Sequence, residues 1–421
     1  MKSIVYYCQG ESHKAINKVC QDYARCYIDN DMAIAVVSDG HGGSRYFRSD
    51  IGSKAVVDCT IELVKSFVSN VNKEVFVGKP FCAVSALTTE RKHSDLRKEC
   101  VVDKHLKQLF TSIIYTWRKT VEEHAANHPF STDELKLINN PDEPSSIDKT
   151  YGCTLMCYVN TPDYWFAFHI GDGKCFSFDE QGNWCEPIPW DEHCFLNKTT
   201  SICDNNSIEE LRYCYQGDGH FPVSIFLASD GLDDSLGEES NQANFYIQVL
   251  KLLNEKGTKE VQSELETTLP KLSKIGSQDD MSIALIYDEN LLPSVIPHVI
   301  KWQRDNIQRE IDSVNIKLDE LRNKQVEYFP IHRYTQKELI DAQYIVIEIE
   351  RLFEQKRNLV DKYNRFSKEL APHSPSFYTD EIGLYQFKEE ESRKFLTREQ
   401  IKKRLRVLNH PIYKLEYANK L

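Results

Sequence analysis

Six aspartates in the first 280 residues sit at the ends of short apolar runs or just beside them. Ala33-Ile34-Ala35-Val36-Val37-Ser38 delivers Asp39, followed by Gly40-His41-Gly42-Gly43. Phe166 to Ile170 delivers Asp172, and Ile225 to Ala228 delivers Asp230, with Asp234 four residues further on. Asp22 precedes Tyr23-Ala24, and Asp279 precedes the run Met281 to Tyr287. Val- and Ile-rich runs of this length read as strands, so each acid would stand at the rim of a buried sheet. If those rims converge, several carboxylates share a few ångströms. Such a cluster cannot stay ionised alone, because like charges and desolvation both favour the protonated acid. Hard divalent cations resolve the conflict, and Mg²⁺ or Mn²⁺ suits a carboxylate set. His41, beside Asp39, is either a structural residue of a glycine-rich loop or a proton carrier.

Asp-Gly is also a common two-residue hairpin turn. That reading suits Asp172-Gly173, since Lys174-Cys175-Phe176-Ser177-Phe178 resumes strand-like alternation at once, and it predicts a hairpin there. It does not suit Asp39 or Asp230, because no returning strand follows either.

The elements that must position these acids follow from periodicity. Strands are expected at Ser3–Tyr7, Met32–Val37, Gly152–Val159, Tyr164–Ile170, Lys174–Asp179, Trp184–Pro187, in the run before Asp230, and at Met281–Tyr287. Helices are expected at Ser44–Asn70, Leu106–His124, Phe245–Leu253 and Glu260–Leu269. The polar stretches Ser131–Lys149 and 189–221 read as loops, the second as a long flap. Strands with helices inserted between them fit an α+β domain. Its boundary is placed at 1–292, leaving 293–421 as a helical extension. There, apolar residues from Ile300 to Tyr328 and from Ile345 to Leu370 recur by threes, fours and sevens on either side of Pro330. This predicts a coiled-coil-like hairpin, followed by a short basic helix at Arg398–Leu408.

Length and charge narrow the class. A chain of 421 residues exceeds one ordinary core. From Ile300 onward 24 Lys and Arg face 20 Asp and Glu, and the residues before it carry 28 against 44. The acidic first part argues against nucleic acid as a partner and for a site that expects cations. The 13 cysteines have irregular spacing and no C-x-x-C pair, which points to reduced thiols. No stretch is apolar enough for a signal peptide or a membrane span, so no membrane partner and a cytoplasmic location are expected.

Asp39-Gly40-His41-Gly42-Gly43, Gly171-Asp172-Gly173, Ser229-Asp230-Gly231-Leu232-Asp233-Asp234 and Gln278-Asp279-Asp280-Met281-Ser282 occur in an order and spacing that resemble the metal-dependent Ser/Thr protein phosphatases of type 2C, in their bacterial branch. Gln21-Asp22 and Tyr151-Gly152-Cys153-Thr154 resemble two further segments of that family, and the likeness covers about residues 1 to 290. It implies two antiparallel sheets packed face to face with helices outside each, and Mn²⁺ or Mg²⁺ as cofactor, two ions and in many members a third. It implies Asp39 as the bridge between two metals with the Gly40 carbonyl on one of them. Asp230 and Asp279 would hold the other, and Asp22 would orient a water. Asp172 and Asp234 would hold the third ion. His41 resembles the general acid that protonates the departing serine or threonine oxygen. Asp280 stands where Asn is usual, an extra charge that would alter metal preference.

One departure concerns the substrate phosphate. Many members carry an Arg shortly before the first acid pair, whereas this chain reads Ser12-His13-Lys14-Ala15-Ile16-Asn17-Lys18. His13 and Lys18 are the candidate replacements, and neither has the bidentate fork of Arg. The expected substrate is a phosphoprotein, hydrolysed by a metal-activated water, with a protein partner or self-association through the C-terminal helices. Two rivals stay open: a phosphatase-fold scaffold with weak turnover, and a small-molecule phosphohydrolase.

Overall fold

The computed structural model describes residues 1–85, 100–140, 143–194, 198–371 and 394–409. The chain forms two compact units, Met1–Ile296 and Pro297–Leu421. The strands of the first are β1 (Lys2–Cys8), β2 (Tyr23–Ile28), β3 (Ala33–Ser38), β4 (Cys82–Val84), β5 (Leu155–Asn160), β6 (Trp165–Ile170), β7 (Lys174–Phe178), β8 (Trp184–Cys185), β9 (Arg212–Gln216), β10 (Ser224–Ala228) and β11 (Met281–Tyr287). They make two antiparallel sheets, ordered β1-β11-β10-β7-β8 and β2-β3-β5-β6-β9-β4. Helices α1 (Glu11–Ala15), α2 (Ser49–Asn70), α3 (Val101–Asn127), α4 (Thr132–Leu135), α5 (Pro144–Thr150), α6 (Ser207–Glu210), α7 (Asp230–Leu236), α8 (Glu239–Lys256) and α9 (Thr258–Ile275) complete this unit.

Period-two alternation explains how β3 serves two cores at once. Ala33, Ala35 and Val37 face the opposite sheet, where Ile225, Leu227, Ala284 and Ile286 lie. Ile34 and Val36 face outward, into the core made with Val56, Val57, Ile61 and Val64 of α2 and Leu106, Phe110, Ile113 and Trp117 of α3. Strands buried on both faces read as continuous apolar runs, which is why β3, β5 and β6 were visible in the sequence. The Trp117 indole N–H donates to the Gly52 carbonyl at 3.0 Å, fixing α3 on α2. On the far side of the other sheet, the rings of Phe176 and Phe226 lie tilted against Tyr246 of α8, with centroids 4.8 and 4.6 Å away. The fold is therefore α+β, two packed antiparallel sheets with helices outside each, as expected.

Three local expectations are corrected. Asp172-Gly173 is not a hairpin turn, because β6 belongs to one sheet and β7 to the other. The chain crosses between sheets there, helped by Gly171 at φ 122°, a conformation L side chains rarely adopt. The stretch 189–221 is more than a loop, since α6 and β9 lie within it. Tyr213 and Tyr215 pack into the helix-side core while Cys214 faces the other sheet, an alternation that polar-looking residues concealed. Finally, Ser131–Lys149 contains α4, whose Ser131 and Glu134 form a capping box, and most of α5, which opens on Pro144.

Helix α10 (Leu292–Arg322), most of which lies in the second unit, and α11 (Gln336–Leu370) share a seam of Ile311, Val314 and Leu318 with Ile349, Leu352 and Leu359. Thr335 caps α11 by accepting the Glu338 N–H at 3.2 Å. The helix Arg398–Leu408 adds Ile401 to a smaller cluster with Tyr334, Leu339 and Ala342. Among the described residues no helix is long and apolar enough to cross a membrane.

Phe166 is wholly buried in an aromatic column with Phe76, Tyr164 and Phe168. Phe166→Ala is expected to cost about 3–5 kcal/mol, read as a lower denaturation midpoint in the first unit's transition.

Candidate active site

The acids are gathered by backbone hydrogen bonds that tie several strand ends together. At the tip of β3, the Asp39 N–H donates to Thr154 Oγ1 at 2.9 Å, and the Thr154 N–H donates to the Asp39 carbonyl at 2.8 Å. The Gly40 N–H donates to the Gln21 carbonyl at 3.1 Å, which draws the Asp22 loop alongside. A Cβ at position 40 would lie 2.6 Å from that carbonyl oxygen and 2.9 Å from the Ser49 carbonyl, so only glycine fits. On the other sheet, the Ser282 N–H donates to Ser229 Oγ at 2.9 Å, joining the end of β10 to β11. Ser282 Oγ in turn donates to Asp22 Oδ2 at 2.7 Å. Asp230 opens α7 immediately after Ser229.

The carboxyls of Asp22, Asp39 and Asp172 each feel the charge of their neighbours. Burial, and then the nearby Asp280, push the Asp22 carboxyl up to about 8. Asp39 is raised well above the carboxylate range by burial and by Asp22 and Asp230, the latter close enough to share a hydrogen bond with it. Burial and Asp230 raise Asp172 to about 6, and the same two causes raise Asp234. Asp279 is also raised, by burial and by Asp230 among others. Asp230 is thus a neighbour common to Asp22, Asp39, Asp172, Asp234 and Asp279. Asp22 Oδ1 and Asp172 Oδ1 are buried without a hydrogen-bond partner. Buried, unpartnered carboxylate oxygens fit divalent cations.

Asp280 behaves differently from the rest. Against the opposing effect of burial, His13 and the N–H groups of Gln21 and Gly10 hold it below the usual carboxylate range. Gly10 N–H donates to its Oδ1 and Gln21 N–H to its Oδ2, each at 2.6 Å, and His13 Nδ1 lies 2.9 Å from Oδ1. The charge that sequence suggested would alter metal preference is instead spent on fastening the N-terminal loop. His13 is correspondingly buried against Asp280, with Nε2 3.7 Å from Asp279, and is not free to grip a substrate phosphate. Lys18 remains at the rim, where Nζ donates to the Gly42 carbonyl at 2.8 Å.

His41 is partly buried, and burial lowers its pKa to about 4. Its backbone carbonyl accepts from Ser49 Oγ at 3.0 Å and Gln21 Nε2 at 3.1 Å. Its Nε2 lies 2.7 Å from Ser201 Oγ, and its ring meets the Tyr46 ring edge-on at 4.7 Å. Ser201 lies in the polar stretch 189–221, where no spacing signal marked it. Among the described residues, two trios bring ligand atoms within 4.8 Å of one another: His13, Asp279 and Asp280, and, in the same stretch as Ser201, Asp191, His193 and Glu210. The second trio is already partnered: Arg212 Nε stands 3.6 Å from Asp191, Thr200 Oγ1 donates to Asp191 at 2.6 Å, and His193 Nδ1 is 2.8 Å from Glu210.

A profile of the family described as protein phosphatase 2C matches residues 9–270, which contain all of these residues except Asp279, Asp280 and Ser282. The chain belongs to the protein phosphatase 2C family. It is a metal-dependent serine/threonine protein phosphatase. Similar solved structures include the Ser/Thr phosphatase Stp1 from Staphylococcus aureus, 14% identical, with a TM-score of 0.41 over 69% of this chain and 95% of that one. The Mycobacterium tuberculosis phosphatase PstP/Ppp is 12% identical, with a TM-score of 0.40 over 68% of this chain and 97% of that one. The catalytic domain of PstP in complex with two manganese ions is 13% identical, with a TM-score of 0.40 over 68% and 98%. No curated protein matches the chain in sequence.

Cations that bind only the folded phosphatase stabilise it, by about 2.7 kcal/mol at about a hundredfold excess over Kd. Excess Mn²⁺ should therefore raise the melting temperature of the chelator-treated protein. Asp39→Asn should abolish most of that rise, and an unchanged rise would remove Asp39 from the cation site.

Proposed function

We propose that this phosphatase hydrolyses phosphoserine and phosphothreonine monoesters in proteins with two cations at the Asp39 cluster. The reading rests on the charges that Asp22, Asp39 and Asp230 impose on one another and on the buried, unpartnered Asp22 Oδ1. Asp39 would touch both ions, with the Gly40 carbonyl on one and Asp230 and Asp279 on the other. Asp22, held by Ser282, would orient water, and Asp172 and Asp234 would take a third ion. When bound, the cations supply Lewis-acid charge against the phosphoryl oxygens and lower the pKa of water at the site.

The remaining work falls to protein groups. Lys18, one of whose protons is committed to Gly42, has others to offer a phosphoryl oxygen at the rim. With His13 engaged by Asp280, Lys18 is the one expected phosphate ligand still available, so phosphate is gripped by a point charge and not by a fork. His41 would protonate the departing alkoxide. Burial keeps its imidazole neutral at pH 7 in the free protein, and the negative charge of a bound phosphate favours the protonated ring. No covalent enzyme intermediate is needed, because water attacks phosphorus and the serine or threonine oxygen leaves with the proton.

The second unit carries no group this chemistry uses. Ile340, Tyr344 and Ile347 are exposed at helical spacing along α11, an apolar face suited to a protein partner or a second copy. A chain ending at Leu292 should keep metal-dependent hydrolysis of an aryl phosphate and change in association or protein-substrate preference.

The decisive assay is phosphate release from a phosphothreonine peptide with Mn²⁺ and with chelator. Turnover should require the metal, and full activity in excess chelator would overturn the mechanism. Lys18→Ala should raise KM by about tenfold with a smaller change in kcat, as expected for lost ground-state binding. His41→Ala should reduce kcat on the peptide by about 10²-fold or more while p-nitrophenyl phosphate, whose leaving group needs little protonation, loses far less. Equal losses on both substrates would assign His41 to structure.

A further inference from the structure

We infer that Ser201 is a positioning residue that occupies Nε2 of His41 and leaves Nδ1 as the nitrogen that serves the leaving oxygen. The inference rests on the general-acid reading of His41 above and goes beyond it by naming the nitrogen and the residue that selects it.

Ser201 is built in rather than merely nearby. It is 3% exposed, and its backbone is fixed from two sides. The Ser201 N–H donates to Asp204 Oδ2 at 3.0 Å, and the next N–H, of Ile202, donates to the Cys153 carbonyl at 3.0 Å. Ser201 Oγ also reaches that carbonyl, at 3.0 Å, and lies 2.7 Å from His41 Nε2. Cys153 is the residue that faces Gly40 across an antiparallel bridge, and the His41 N–H donates to Gly152 at 3.1 Å. One backbone segment, Gly152-Cys153-Thr154, therefore registers the Asp39 loop on one side and Ser201 on the other. Tyr46, edge-on to the ring at 4.7 Å, limits its rotation further.

The proton inventory then selects the nitrogen. If the Ser201 hydroxyl donates to the Cys153 carbonyl, or to Cys203 Sγ at 3.2 Å, its oxygen accepts from Nε2–H. If it donates to Nε2, the neutral ring carries its proton on Nδ1. In both arrangements Nε2 is engaged, and among the described residues Nδ1 has no hydrogen bond. In the imidazolium both nitrogens carry protons, one tied to Ser201 and the other transferable. Second-neighbour hydrogen bonds of this kind set which ring nitrogen does chemistry. Transfer from Nδ1 to the alkoxide breaks one N–H bond and forms one O–H bond, leaving a neutral ring still anchored at Nε2.

Two measurements on the full-length protein test this. In the chelator-treated protein with ¹⁵N-labelled histidine, assigned through His41→Gln, the His41 Nε2 resonance should carry a hydrogen-bond signature that Ser201→Ala removes and Ser201→Thr keeps. Identical His41 ring resonances in wild type and Ser201→Ala would overturn the proposal. With Mn²⁺, Ser201→Ala should lower kcat on a phosphothreonine peptide by about tenfold with KM within about twofold, lose less on p-nitrophenyl phosphate, and be rescued by Ser201→Thr. Equal losses on the two substrates, or none on the peptide, would also overturn it. Should the wild type release no phosphate from the peptide, the phosphatase mechanism fails, while the resonances still decide whether Ser201 holds Nε2.

Discussion

Repulsion among carboxylates at the strand ends is the constraint on which the catalytic unit turns. Hydrogen bonds at the strand ends hold Asp39, Asp22 and the residue before Asp230 in place. Thr154 fixes Asp39, Gln21 brings in the Asp22 loop, and Ser282 ties Asp22 to the tip of β10. The sandwich supplies the stiffness this needs. Its central strands β3, β5, β6, β10 and β11 are buried on both faces, and α2 and α3 close one side with aliphatic and aromatic side chains. A flexible scaffold would relax by moving the acids apart, whereas this one can only take up protons or cations.

The same unit shows how neighbouring acids acquire different tasks. Asp279 and Asp280 are adjacent in sequence, yet one joins the group around Asp230 and the other fastens the N-terminal loop. The difference lies in hydrogen-bond donors. Asp280 meets two backbone N–H groups and His13, which favour its charged form, while Asp22 has a serine hydroxyl on one oxygen and no partner on the other. A carboxylate saturated by donors is a structural fastener, and one left short of them is a ligand in waiting.

Much of this was legible in the sequence because burial on both faces leaves long apolar runs, and three of the runs end in a recognisable acid-glycine pair. The strands around Asp39 and Asp230 and the helix pairs α2/α3 and α8/α9 follow from periodicity alone. What was hidden depended on contacts remote in the chain. The hairpin expected at Asp172-Gly173 failed because local turn chemistry cannot tell a return within one sheet from a crossing between two. β9 was missed because its Tyr-Cys-Tyr alternation begins with a buried Arg212, which looks like surface. His13 carried a reasonable phosphate-binding reading until Asp280, more than 260 residues away, claimed it. Ser201 had no local signal, since its significance comes only from lying beside His41.

The central claim, that cations belong among Asp22, Asp39 and Asp230, is tested most directly by anomalous scattering from crystals of the full-length protein grown with Mn²⁺. The account predicts two strong peaks at the Asp39 carboxylate, one of them shared with Asp230, and none at the already partnered group of Asp191, His193 and Glu210. Manganese bound at that group with the Asp39 cluster empty would contradict it.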